Sequence, residues 1–536
     1  MSPATRFTIT ALALCISVPA LAAPKRGLID PYAPVAPVKT GTKPINPYAS
    51  PTAPTSPLNP YASPTAPVAP EAPAAMPIVE VAPRVDPFAT ASGTAPSKPA
   101  KTTGKTIDPY AVSAGTTAPM RNPYALPAPV ETTGAVVPPR IALTNLSSVQ
   151  GLMAVAHLDG WLLTDNLGQN PIAQELVFGT SPTAVPTQPW FYYVPQKGEP
   201  SLICYAADCN LFTVIGKRLP YIGYREVATA LKATLKGKLT IATEYSPNAM
   251  LPTISRLDAG SAELLRSMGI TLRSSETLVQ YTRAMWGPEG LASHLVAAHH
   301  LQELRKEAFA TISGRMRAGL TLTELELQQQ LLRSMKVRGI VGPAPVVAFA
   351  AHTAYPTYRV TPQSSATLQR GDLILLTLAA RVDKPETVYA ALTGVAVADD
   401  KVAPAIARAF NAATAARDEA LAALADRKNS RSGLKGFEVD ARVRTLLDQT
   451  GLSKNIEHAC GHSLDTSVSG HGTDLEDTLM HDNRTILTGT GFAVGPGLYF
   501  HGEQEFGVRT EVSVFMTATG IQVTTAPQDN IELLLK

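Results

Sequence analysis

Two runs near the C-terminus set ionisable side chains among apolar, strand-like neighbours. "GFAVGPGLYF", residues 491–500, reads as a buried strand interrupted by Gly495-Pro496-Gly497. "EFGVRTEVSVFM", residues 505–516, is a second apolar alternation with Arg509 and Glu511 in its middle. An ionised group in such a strand needs a partner, because a bare charge taken out of water is costly. Side by side, the two runs would floor a site that holds one carboxylate, and the first offers only Gly495 where it meets the proline. Upstream, "HACGH" puts Cys460 between His458 and His462. Flanking imidazoles can raise a reactive thiolate, the alternative being a buried and inert thiol. Elsewhere, His299, His300, His352 and His481 have no carboxylate at ligand spacing and read as surface or helix polar groups. Asp383, Glu386 and Asp399 fall near strand ends and read as solvated.

The elements that position these residues begin at about Ile141, where the composition turns globular. "GWLLTD", "WFYYVPQKGEPSLICYA" and "KLTIATEY" read as strands, and "YREVATALKATL" and "SAELLRSMG" as helices, so residues 141–283 form an α/β domain. A long helical stripe follows from Pro288 to Leu320. In "TLTELELQQQLLRSMKVRG", Thr321 and Glu324 would make a capping box and Gly339 a stop. "RGDLILLTLAARV" and "TVYAALTGVAVAD" are strands, "PAIARAFNAATAARDEALAAL" and "EVDARVRTLLDQTG" helices, and the chain beyond His458 is β-rich.

Composition bounds the function. The chain has 536 residues, a net charge of +3 and 17% charged residues, which gives no footprint for a nucleic-acid partner. Residues 1–22 run from Arg6 through a short apolar stretch to Ala20-Leu21-Ala22, the pattern of a cleaved export signal too short to span a bilayer. Bulky Leu14 argues against lipid attachment at Cys15. The mature chain then has no transmembrane segment and is periplasmic or secreted. Residues 23–140 repeat "NPYASPTAP" and its variants "DPYAP", "DPFAT", "DPYAV" and "NPYAL". Such a segment holds too few apolar groups to offset the entropy of folding and reads as a disordered proline-rich linker. Its spaced aromatics could also dock an envelope partner. Cys204, Cys209 and Cys460 remain in the mature chain; the first two could bridge in an oxidising compartment.

In order, "YVPQKGEPSLI", "GLTLTELELQQQL", "RGDLILLTLAA", "HACGH", "FAVGPGLYF" and "FGVRTEVSVF" resemble the pita-bread superfamily of aminopeptidase P, prolidase, creatinase and methionine aminopeptidase. The likeness runs from roughly Ser148 to Thr525. It implies an α/β N-terminal domain of the creatinase and aminopeptidase P type at 141–283, then an α+β pita-bread domain at 284–536. It also implies a homodimer and two divalent metals on two Asp, one His and two Glu. Carried over singly, those ligands fall on Thr377, Ala391, His462, Gly495 and Glu511. The family's catalytic histidines fall on Thr357, on His458, and on Ser469, with His471 two residues further on.

The resemblance therefore implies a ligand set reduced to His462 and Glu511. Two divalent ions bring four positive charges and need oxygen ligands to balance them. His458, His462 and Glu511 are the best set left, sufficient for at most one divalent ion, zinc or manganese. The alternative is that His462, Glu511 and Arg509 satisfy one another in a buried sheet. Three functions follow. The leading one is an exported Xaa-Pro-peptidase-like protein that binds proline-containing peptides or proteins without hydrolysing them. The others are a single-metal or metal-free hydrolase, and an envelope interaction protein that works through its tail.

Overall fold

The computed structural model describes residues 137–180, 182, 185–429 and 433–536. The expected export signal and proline-rich repeats lie outside the described residues. Helix α1 (Leu146–Val155) leads into β1 (Gly160–Asp165), α2 (Pro171–Phe178), the hairpin β2 (Trp190–Pro195) and β3 (Ser201–Tyr205), β4 (Lys217–Tyr221) and α3 (Tyr224–Thr234). Then come β5 (Thr240–Thr243), α4 (Ala259–Ser267), β6 (Thr271–Ser274) and α5 (Glu276–Val279). The strands form one sheet in the order β4-β3-β2-β1-β5-β6, with β1 antiparallel to β2 and parallel to β5. Alternation divides β1 between two cores. Trp161 and Leu163 pack on one face with α2, and Leu162 on the other with α4. Helix starts follow their caps: the side chains of Asn145, Asn170 and Asp258 accept the first free amides of α1, α2 and α4.

Cys204 and Cys209 are disulfide-bonded at the end of β3. Closing so short a loop restricts the unfolded chain only modestly. The Cys204→Ala/Cys209→Ala protein should therefore lose about 2 kcal/mol of stability, read as a shift in urea midpoint. A null effect would mean that the bridge contributes nothing to the fold.

The second domain opens with α6 (Gly287–Arg317) and α7 (Glu324–Val337). The capping box differs from expectation. Thr323, not Thr321, caps α7, with its hydroxyl on the Glu326 amide and Glu326 reaching back to the Thr323 amide. Glu324 is thereby freed to turn inward, where it is fully buried. Strands β7 (Ile340–Val341), β8 (Val346–Phe349), β9 (Leu373–Val382) and β10 (Ala390–Val397) follow, then α8 (Pro404–Ala425) and α9 (Gly436–Gln449). The last stretch holds β11 (Gly461–Leu464), β12 (Gly491–Val494), β13 (Gly497–Phe500), β14 (Phe506–Arg509), β15 (Val512–Met516), β16 (Ile521–Val523) and β17 (Glu532–Leu533). One sheet runs β17-β10-β9-β7 with β8 also on β9, a second runs β11-β12-β15-β16, and β13 pairs with β14. One face of the β9–β10 hairpin packs on α6 and α7, the other on α8 and α9. Among the described residues no helix is long and apolar enough to cross a membrane.

Candidate functional site

The two C-terminal runs quoted first form neighbouring strands. His462 on β11 lies opposite Ala493 on β12, which lies opposite Ser513 on β15. With a side-chain period of two, Gly495 and Glu511 share the face of Ala493 and Ser513. The strand β10 is stitched to this sheet by two hydroxyls. Ser513 Oγ accepts from the Ala391 amide at 2.9 Å and donates to the Ala391 carbonyl at 2.8 Å. Thr393 Oγ1 accepts from the Glu511 amide at 2.7 Å and donates to the Arg509 carbonyl at 2.9 Å. Thr377 sits half-buried on β9 directly across from Thr393. Ala391 joins a small apolar cluster with Trp286, Leu464, Ala493 and Phe515, so methyl groups and rings line that part of the floor.

Glu511 is buried and ion-paired with the Arg509 guanidinium. That pair supplies the partner its burial requires. Its pose also accounts for the glycine at 495. A Cβ placed on Gly495 would stand 2.7 Å from Glu511 Cβ, 2.8 Å from its Cγ and 2.9 Å from its Oε2. The Glu511 side chain fills the volume that any side chain at 495 would enter.

The histidines divide. His458 Nδ1 donates to the Ala459 carbonyl at 2.7 Å, which fixes the tautomer and leaves Nε2 to accept from the Tyr499 hydroxyl at 2.8 Å. Burial, and then the Arg509 charge, pull the His458 pKa down to about 3, so this imidazole is neutral. Burial pushes Tyr499 up to about 12. His462 is half-buried and places Nδ1 3.1 Å from the Ser463 carbonyl. The expected set of His458, His462 and Glu511 is therefore not gathered on one ion. Glu511 is held by Arg509, His458 by Tyr499, and among the described residues no three His, Cys, Asp or Glu side chains form a metal-holding group. Of the expected triple of His462, Glu511 and Arg509, only the last two are joined. Cys460 is buried, and burial with the nearby Asp440 carboxylate raises its pKa well above the ordinary value, which removes the thiolate reading. Thr357 and Ser469 are exposed.

His471 belongs to a different constellation. Its Nδ1 lies 2.9 Å from Asp465 Oδ2 and its Nε2 3.7 Å from Glu175 Oε2 on α2. Arg283, in the turn after α5, reaches Glu175 at 2.6 Å, Thr466 Oγ1 at 2.7 Å and Glu386 at 3.5 Å. Arg140 closes the row on Glu386 at 2.6 Å. These charges clamp the N-terminal domain to the second one. Glu386 is thus an ion-pair partner, not the solvated residue expected. His352 and His481 lie toward the surface as expected, yet each has a carboxylate partner. His352 Nδ1 is 2.9 Å from the buried Glu324, and His481 Nδ1 is 2.7 Å from Asp477. The His352 partner leaves no local sequence signal because its carboxylate is 28 residues away. Asp399 is held by Arg370 at 2.8 Å. The Asp474, Asp482 and Arg484 triplet was also unforeseen; buried Arg484 forks onto Asp482. Its only sequence signal was an Asp-x-Arg triplet in an otherwise polar loop.

Residues 297–518 match the family described as Metallopeptidase family M24. The "Probable dipeptidase PepE" of Mycobacterium tuberculosis is 31% identical over 103 residues, 19% of this chain and 26% of that protein. The chain thus matches about a quarter of that curated relative's length. The dipeptidase PepE structure from Mycobacterium ulcerans superposes with a TM-score of 0.55 at 17% identity, covering 73% of this chain and 96% of that one. The N-terminal domain of FACT complex subunit SPT16 from chickpea superposes with a TM-score of 0.52 at 10% identity, over 72% of this chain and 95% of that one. At such identities the superpositions carry the fold alone, which is the α/β plus pita-bread architecture expected.

Proposed function

From the premise that this chain carries a metallopeptidase family M24 domain on the pita-bread fold, we propose that it has given up dinuclear-metal catalysis and binds proline-containing peptides or protein segments without cleaving them. One observation carries the reading: the Glu511 side chain fills the space beside Gly495 and pairs with Arg509. At 495 and 511, where the family pattern places two of its four carboxylates, this chain has one carboxylate and a guanidinium. The donors left at the five positions are His462, Glu511 and the Thr377 hydroxyl, and Glu511 is already neutralised. Two divalent ions need far more negative charge than that set supplies, so the residues do not fit a dinuclear centre. Nor is a substitute nucleophile at hand, since Cys460 is a buried thiol of raised pKa.

The half-buried Thr377 and His462 side chains remain as hydrogen-bonding groups for a peptide, whereas His458 and Tyr499 are spent on each other. Export is part of the proposal. It rests on the pattern in residues 1–22, and the Cys204–Cys209 bridge supports an oxidising compartment. The test uses the full-length protein with Ala-Pro-Ala and Ala-Ala-Ala, binding being read by calorimetry and products by mass spectrometry with Mn²⁺ present. The proline peptide should bind at least about fivefold more tightly and stay intact. Equal affinities would remove the binding role, and release of alanine would remove the loss of catalysis.

A further inference from the structure

A cavity of about 680 Å³ lies away from the β12–β15 site, between the N-terminal domain and the loop that carries Asn483. Its walls come from the end of α1, the loop after β5, the last residues of β6 and the start of α5. Leu158, Leu251 and Leu278 give it an apolar floor. Two opposite charges line the same space. Arg273 is exposed and has no carboxylate within ion-pair distance among the described residues. Glu276 accepts a hydrogen bond from the Ser274 hydroxyl at 2.9 Å and pairs with no cation there. Buried Arg484, which feels the Glu276 charge, is already forked onto Asp482.

The backbone around this cavity is unusual as well. Six described non-glycine residues have positive φ, and two of them line the cavity: His157 at 54° and Asn248 at 55°, with Ala249 beside Asn248 a third at 54°. Left-handed backbone at non-glycine residues is disfavoured by the Cβ and collects at ligand-contacting segments. In this case it turns the His157 and Asn248 segments along the cavity wall, where Asn248 and Asn483 add amide groups.

We propose that this cavity binds a small zwitterion of the α-amino acid type with an apolar side chain. Arg273, with the amides of Asn248 and Asn483, takes the carboxylate. Glu276 takes the ammonium, and the leucine floor takes the side chain. A simple organic anion would meet the Glu276 charge, and a simple amine the Arg273 charge. Only a ligand with both ends satisfies both.

The test titrates the full-length protein with L-leucine, N-acetyl-L-leucine and L-leucinamide, with binding read by saturation-transfer NMR. Leucine should bind in the millimolar range or tighter, and each singly charged analogue about tenfold more weakly. Arg273→Gln should abolish the preference for leucine over leucinamide, and Glu276→Gln the preference for leucine over the acetylated form. Both residues are off the core, so unchanged melting temperatures would confirm that the variants fold. Absence of leucine binding at about 20 mM, or an analogue binding as well as leucine, would overturn the assignment. None of these ligands contains proline, so the outcome is independent of the peptide-binding reading.

Discussion

Arg509→Gln should destabilise the protein by about 3–5 kcal/mol, because it leaves the Glu511 carboxylate buried and unpaired. The penalty is large since the carboxylate is walled in by its own strand neighbours. Its amide is fixed by Thr393 and its side chain fills the space beside Gly495. The double change Arg509→Gln/Glu511→Gln should recover most of the loss, since a neutral pair needs no charge compensation. Urea midpoints of the two variants measure both effects. Equal destabilisation of single and double variants would mean that the ion pair is not what fits Glu511 to its site. Restoration of the single variant by added divalent metal would be equally damaging, because it would show the carboxylate still serving as a ligand.

The second large effect lies at the domain junction. Arg283→Met should cost about 2 kcal/mol, chiefly because Glu175 loses its cation, while the more exposed Glu386 keeps Arg140. Hydrogen exchange should rise first in α2 and in residues 464–472. The same clamp is pH-dependent. Burial alone would pull His471 down, but the Asp465 charge, their hydrogen bond and Glu175 outweigh it and raise its pKa, with Arg283 opposing. Burial likewise pushes Asp465 up, and the His471 charge and hydrogen bond bring it below the ordinary value, with help from Arg283. A raised imidazole contributes stability fully below its unfolded value of 6.5, and that contribution fades as pH rises through the folded pKa. A lowered carboxylate contributes above its unfolded value of 3.8 and fades as pH falls through the folded pKa. The clamp is therefore tightest between those two values and loosens on the alkaline side. His471→Gln should remove the alkaline loss, and an unchanged profile would show that another group carries it.

The legible part of the sequence was its local part. The short apolar run in "GWLLTD" and helical spacing in "YREVATALKATL" are set by neighbours a few residues away, and β1 and α3 appear where those patterns lie. Short elements with weak patterns, such as α1, α2 and β4, were not foreseen; their stability comes from packing onto the sheet. The site was legible in part. Residue types at 391, 495 and 511 showed which groups were present, and the need of Glu511 for a partner pointed to His462 with Arg509, of which only Arg509 is joined to it. That Glu511 would occupy the space of a missing side chain depends on side-chain pose, which no spacing encodes. The clamp was invisible for a related reason. Arg283 is 108 residues from Glu175 and 103 from Glu386, and only the docking of two domains brings them together.

Charge at the β12–β15 site decides whether this chain can hold a dinuclear centre, and metal stoichiometry tests that most directly. Full-length protein purified without chelator, then equilibrated with Mn²⁺, Co²⁺ or Zn²⁺ and desalted, should carry well under two metals per chain by elemental analysis. It should also release no amino acid from Xaa-Pro peptides. Two tightly held metals per chain, with chelator-sensitive Xaa-Pro hydrolysis, would contradict the loss of that centre.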